Sequence, residues 1–157
     1  MEGLAMMCEE KLEVFENGFR DDKFNIEVTF YGEDGRKVLL ALIYELYLPD
    51  YGSEYVYPFE CAKEFWNVYM DPPNVEKEVP KLKPIKFVSE SVKQKVREVL
   101  EGINPPVDVK IDEAEFYKTK EGYLVIGKNF LLDPKGRLFI FNKPSIGEKI
   151  LKYIWEW

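Results

Sequence analysis

The sequence contains no histidine. Histidine is the commonest general base and a leading metal ligand. Its absence removes Ser-His-Asp and Cys-His catalysis, H-E-x-x-H zinc hydrolysis and the zinc deaminase motif. The signatures G-x-x-x-x-G-K-[ST] and G-x-G-x-x-G are missing too, so no loop is marked out to cradle nucleotide phosphates. There is no G-x-S-x-G nucleophile elbow. An enzyme built on this chain would have to use carboxylate, lysine, tyrosine or thiol chemistry. No motif points to a metal or a cofactor.

Side-chain amides and threonine are scarce. Gln94 is the one glutamine, and Thr29 and Thr119 are the two threonines, against 18 Lys and 21 Glu. Lys/Glu enrichment with few thermolabile amides is the hyperthermophile pattern, and prolines gathered in loops fit it. The composition reads as that of a heat-adapted archaeal or bacterial protein. Cys8 and Cys61 are the two cysteines. Neither belongs to a C-x-x-C pair, so no zinc site is expected. The plainer reading is two buried free thiols; a bond between them is the alternative that heat-adapted proteins allow.

Long apolar runs are also missing. The longest, Val38 to Leu48, is broken by Glu45 and falls short of the roughly 18 residues a membrane span requires. The first residues lack the basic region of a secretory signal, and no lipidation signal is visible. A cytoplasmic protein with no membrane association is expected.

What is present bounds the architecture. At 157 residues the chain has the size of one domain, and a hydrophobic fraction of 46% argues for a packed core rather than disorder. The net charge of −7 is unevenly placed. Residues 1–79 hold 18 acids and 7 bases, a net of −11; residues 80–157 hold 11 acids and 15 bases, a net of +4. The halves either interleave in the fold or meet in a charge-complementary contact, within one chain or between subunits. An acidic chain is a poor candidate for nucleic-acid binding, which rests on phosphate neutralisation.

Periodicity predicts the elements. Cys8, Leu12, Phe15 and Phe19 suggest a helix over 4–16 that stops at Asn17-Gly18; a strand over Lys11 to Phe15 competes. Phe24 to Tyr31 alternates as a half-buried strand. Asp34-Gly35 suggests a turn, and Lys37 to Leu48, apolar on both faces, reads as a central strand. Glu54 to Phe59 reads as another strand, and Cys61 to Met70 as either helix or strand. Residues 71–87, with four prolines, form an extended crossover. Ser89 caps a helix over 90–101 whose apolar face is Val92, Val96, Val99, Leu100 and Ile103, stopped by Gly102. Strands follow at Asp108–Lys118 and Tyr123–Gly127. A hairpin over Asn129–Leu132 and Arg137–Phe141 turns at Asp133-Pro134-Lys135-Gly136. A terminal helix begins near Ile146, with Ser145 and Glu148 as a capping box.

Strand runs and helical runs are segregated, which favours an α+β fold. The expected architecture is a mainly antiparallel sheet built from hairpins, with an N-terminal, a central and a C-terminal helix packed on one face. It forms a single domain over 1–157, in which an acidic half (1–79), a Pro/Lys/Glu crossover (71–87) and a mildly basic half (88–157) follow one another.

Two groups of residues are candidates for function. Asp108, Lys110 and Asp112 would share one face of a strand, since strand residues two apart point the same way. They loosely echo the acid-x-Lys arrangement with which metal-dependent nucleases hold Mg²⁺ and orient water; a solvated strand face is the plainer reading. The second group is aromatic. Nine of the positions from Tyr44 to Tyr69 carry rings, among them Tyr55, Tyr57, Phe59 and Trp66. Such residues suit interfaces because each has a large apolar body, and in Tyr and Trp a polar tip. Of the two tryptophans near the end of the terminal helix, Trp157 falls on its apolar stripe and Trp155 points elsewhere; one of them would pack on the domain or on a second subunit, and Trp155 is a candidate binding residue. The reading favoured is a non-catalytic protein-interaction module, with a protein partner or a homodimer, using the 44–70 region or the C-terminal helix. The alternatives are a metal-dependent phosphodiesterase or nuclease using Asp108, Lys110 and Asp112, and a small-ligand binder with a pocket between sheet and helices.

Overall fold

In the computed structural model, residues 12–32, 35–51, 57–103 and 109–156 are described. The chain opens with strands β1 (Glu13–Phe15), β2 (Gly18–Asp21) and β3 (Ile26–Tyr31), then helices α1 (Gly35–Tyr51), α2 (Tyr57–Trp66) and α3 (Glu90–Glu101). Strands β4 (Glu115–Thr119), β5 (Gly122–Ile126), β6 (Phe130–Leu132) and β7 (Leu138–Phe141) follow, and helix α4 (Pro144–Tyr153) closes the fold. The strands form one antiparallel sheet in the order β1-β2-β3-β7-β6-β5-β4. The α+β class is therefore as expected, and the one sheet draws strands from both the acidic and the basic half.

The Val38–Leu48 run is helical, not a central strand. An apolar run without a polar face fits a buried strand or a buried helix equally. Here length and composition decide: α1 has 17 residues, far beyond an ordinary strand, and its Leu-Leu-Ala-Leu core is made of strong helix formers. Residues 38–43 are all 0% exposed because α1 packs on β3 and against both α2 and α4. A helix buried on every side is hydrophobic all round. Gly35 opens this helix rather than closing a hairpin; a Cβ there would lie 2.2 Å from the Phe30 ring.

At the N-terminal end, residues 4–11 of the expected helix lie outside the described residues, and Glu13–Phe15 is a strand. Val14 pairs with Phe19 across a two-residue connection, so the helix-like spacing of Phe15 and Phe19 belongs to a hairpin. β3 buries Ile26, Val28 and Phe30 as the alternation predicted. The expected strand over 54–59 falls partly outside the described residues, and Tyr57 to Phe59 begin α2, with Pro58 in its first turn. Cys61 is disulfide-bonded, which overturns the reading of free thiols there; Cys8 lies outside the described residues.

Helix α3 starts and stops where predicted. The Ser89 hydroxyl accepts the Val92 N–H at 3.3 Å, and the Gly102 N–H donates to the Glu98 and Val99 carbonyls. α4 departs from prediction at its start. Pro144 occupies the first turn and the cap is Lys143, with no side-chain hydrogen bond. Proline fixes the backbone for a first helical residue, so Ser145 falls inside the helix and cannot cap it.

Helices cover both faces of the sheet, not one. α1, α2 and α4 pack over Val28, Leu131 and Phe139, while Val96 and Leu100 of α3 pack on Val125, Leu132 and Leu138 on the opposite face. The crossover joins the two layers. Val75 and Leu82 rest against the first core, Ile85 and Val88 against the second. Between them the Ile85 N–H donates to the Phe116 carbonyl of edge strand β4 at 2.8 Å, which blunts an edge otherwise open to strand pairing.

α4 approaches β7 through Gly147. Alanine is the better helix former by about 1 kcal/mol, yet a Cβ at 147 would sit 2.6 Å from Cζ of the buried Phe141 ring. Overpacking costs about 1–3 kcal/mol, so steric strain should win. Gly147→Ala is expected to lower stability by about 1–2 kcal/mol, read as a lower denaturant midpoint. A raised midpoint would mean that the ring yields at no cost.

Candidate functional site

The structure does not assemble the expected carboxylate-lysine strand. Asp108 lies outside the described residues. Lys110 is exposed and precedes a 3-10 turn over Ile111–Glu113 that contains Asp112. A strand begins only at Glu115, so two-residue alternation does not align Lys110 with Asp112. The Asp112 carboxylate is held instead by Lys93 at 3.3 Å and Arg97 at 3.6 Å from α3. Among the described residues no group of three or more Cys, Asp or Glu side chains is placed to hold a metal ion.

The aromatic group divides. Tyr44, Tyr47, Phe59 and Trp66 are core residues. Tyr44 and Phe59 meet edge to face at 5.1 Å, and the Trp66 indole donates to the Phe15 carbonyl at 2.7 Å. Phe59 and Trp66 therefore cannot face a partner. Tyr55 lies outside the described residues, and Tyr57 begins α2. Trp155 sits in the 3-10 turn after α4, half-buried, with its ring nitrogen enclosed. Two rings that sequence reading had placed in the same group are exposed: Phe65 and Tyr69, at 59% and 82%.

A groove of about 1090 Å³ lies among the described residues. Six parts of the chain converge on it: the β1–β2 turn (Glu16, Asn17), the end of β3 (Phe30 to Gly32), the start of α1 (Arg36, Lys37), Val68 after α2, the end of α3 (Glu98, Val99, Gly102, Ile103) and Gly136 in the β6–β7 turn. Local hydrogen bonds hold the walls. The Phe30 N–H donates to the Asn17 carbonyl at 2.8 Å, and Arg36 Nε donates to the Glu16 carbonyl at 3.3 Å. Gly32 (φ +114°) and Gly136 (φ +87°) also line the groove in left-handed conformations that other residues seldom adopt.

The groove carries both signs of charge, from Arg36 and Lys37 and from Glu16 and Glu98. The two cations lie in the first turn of α1, which has no acidic residue. The helix dipole disfavours cations there by a few tenths of a kcal/mol, and the Arg36 bond to the Glu16 carbonyl works against that cost. Val99 shows what sequence reading missed. Helical spacing places it on the apolar face of α3, but it is 44% exposed and lines the groove. Its neighbours Val96 and Leu100 fill the stripe.

The perturbed titrating groups lie elsewhere. Glu45 of α1 receives Lys149 at 3.0 Å, Lys152 at 2.8 Å and the Tyr153 hydroxyl at 2.6 Å. Burial works to raise the Glu45 carboxyl, but the hydrogen bonds from Lys152, Tyr153 and Lys149 outweigh it and hold the group below its ordinary range. Burial and the same carboxylate push the Tyr153 phenol upward. On the edge strand, burial and the bond to Glu115 push Tyr117 up to about 12. The Glu45 cluster joins the acidic half to the basic half inside one chain, so part of the charge complementarity read from the sequence is internal.

No described helix is long and apolar enough to cross a membrane. The profile of a family described as Ph1570 protein matches residues 6–157. Among solved structures, the crystal structure of ORF 1580, a hypothetical protein from Pyrococcus horikoshii, is 69% identical with a TM-score of 0.86, and the match covers 96% of this chain and 93% of that one. That relative comes from a hyperthermophilic archaeon, in keeping with the heat-adapted composition. No curated protein matches the chain.

Proposed function

The chain belongs to the Ph1570 family, and we propose that it is a non-catalytic binding module that takes an extended segment of a partner protein in the groove between α1 and α3. The observation that carries this reading is the exposed Val99 side chain on the wall of a groove that Arg36 also lines. At about 1090 Å³ the groove is at the upper limit of ordinary small-molecule pockets, about 300–1,000 Å³. A peptide segment suits that size. It can set an apolar side chain on Val99 and Ile103, and charged side chains of either sign on Arg36, Lys37, Glu16 and Glu98.

Selection from a random peptide display library tests this. Peptides enriched on the wild-type protein are expected to bind Val99→Asp at least tenfold more weakly, because a carboxylate replaces the apolar contact; about 1.4 kcal/mol suffices for that change. Arg36→Ala should weaken the acidic members of the set selectively. Val99 is exposed, so the fold should tolerate its replacement. Enriched peptides that bind all three proteins equally would rule the groove out.

A further inference from the structure

We propose that the crossover between α2 and α3 carries, over residues 79–88, a basic and aromatic strip that binds a single strand of nucleic acid, with phosphates on its lysines and a base on Phe87. Val79, Leu82, Ile85 and Val88 are half-buried, and the two residues between each of them are exposed. That repeat of three is the period of a polyproline II helix, with one row turned inward and two outward. Leu82 rests on the first core, and Ile85 and Val88 rest on the second. The outward rows hold Lys81, Lys83, Lys86 and Phe87.

The strip is fixed before anything binds. Pro80 and Pro84 restrict its backbone, and the Ile85 N–H is held by the Phe116 carbonyl of β4. A surface ordered in advance loses little entropy on binding. Its charge is of one sign. The nearest acids along the chain are Glu78 and Glu90, and Glu90 faces Lys93 at 3.9 Å and Arg97 at 3.7 Å. No ion pair among the described residues engages Lys81, Lys83 or Lys86. The net charge of −7 weighs against nucleic acid for the chain as a whole. At physiological salt, however, exposed charges are felt over only about 8 Å, so the local arrangement decides.

Phe87 supplies the second feature. At 91% it is the most exposed large apolar side chain among the described residues. Burying a phenylalanine contributes about 1.5–3 kcal/mol, yet the inward row beside it is filled by Ile85 and Val88, and the ring stays in water. A flat ring next to cations is the pairing that a single strand uses, since bases stack on the ring while phosphates meet the cations. A protein partner would call for a broader apolar core, and the outward rows offer one large apolar side chain.

Fluorescence anisotropy of a labelled oligouridylate of about 12 nucleotides tests the proposal on the full chain. Saturable binding is expected at low salt. Log affinity should fall against log salt with a slope of about −2, as for three phosphates neutralised on a single strand. Phe87→Ala should weaken binding about fivefold or more and leave the slope unchanged, because it removes a stack and no charge. The double variant Lys83→Ala/Lys86→Ala should bring the slope to about −0.7. All three side chains are exposed, so the fold should tolerate these changes. An oligoglutamate of equal charge should bind about fivefold more weakly or worse, since it has no ring to stack. The proposal is overturned by any of three results: no saturable binding at millimolar concentration, an affinity that Phe87→Ala leaves unaltered, or oligoglutamate bound as tightly as oligouridylate, which would point to an acidic protein partner instead.

Discussion

Replacing Asp133 with alanine is expected to remove about 3–5 kcal/mol of folding stability, the usual penalty for leaving a buried charge without its partner. The side chains of Asp133 and Arg137 are 0% and 3% exposed. One Asp133 oxygen accepts the backbone N–H groups of Lys135 and Arg137, each at 2.9 Å; the other accepts Arg137 Nε. Arg137 then reaches across to donate through Nη2 to the Ile154 carbonyl at 3.0 Å. The pair thus fixes the β6–β7 turn and ties it to the C-terminal end of α4, where a cation is favoured. Without Asp133 the guanidinium stays enclosed and uncompensated, and its Nη1 already has no partner. The double variant Asp133→Ala/Arg137→Met should be less damaged than the sum of the two single changes, by at least about 1.5 kcal/mol. Denaturant midpoints at constant slope measure this. Additive losses would show that the two side chains act independently.

Glu45→Gln is expected to lower stability by about 2–3 kcal/mol at neutral pH. The Glu45 side chain is 10% exposed and receives two ammonium groups and a phenol. It joins α1 to α4 and, through Lys152 and the Val75 carbonyl, to the crossover. Lys149 and Lys152 are 38% and 23% exposed, so they regain water when released, which keeps the loss below that for Asp133. The pH dependence has a definite sign. The folded carboxyl lies below its ordinary value of 4.5. Its contribution is therefore present above that value and is lost as pH falls through the folded pKa. The stability gap between wild type and Glu45→Gln should be full at pH 7 and should close in acid below 4.5. A gap that is constant across this range would mean that Glu45 acts through packing rather than charge.

Elements with one polar and one apolar face could be read from the sequence. The alternation of Phe24 to Tyr31, the stripe and cap of residues 89–102, and the Asp133–Gly136 turn each carry a local signal, and each stands where expected. The run from Val38 carried none. A segment buried on every side has no period to distinguish helix from strand, and its surroundings come from α2, α4 and β3. Phe15 and Phe19 misled for a related reason: a tight hairpin brings residues five or fewer apart together, as a helical turn does.

The candidate site was less visible than the fold. Its walls come from residues 16–17, 30–32, 36–37, 68, 98–103 and 136, and no short motif spans such distances. The aromatic density of residues 44–69 marked a real surplus of rings, but among the described ones Tyr44 and Phe59 meet at the junction of α1 and α2, and Tyr47 and Trp66 are buried too. Phe59 and Trp66 looked no different in sequence from Phe65 and Tyr69. Val99 did carry a signal. On a helix, Val96 and Leu100 lie four residues apart on one side; Val99 adds to that stripe only at its margin, where exposure is decided by what packs alongside.

The groove is the centre of this account, and an amide NMR titration with a display-selected peptide tests it most directly. The account predicts that shifts concentrate on residues 98–103, on 35–37 and the end of β3, and on the β1–β2 turn, with the crossover around Phe87 unchanged. Shifts confined to Phe87 and the crossover, or to Lys110 and Asp112, with the groove silent, would contradict it.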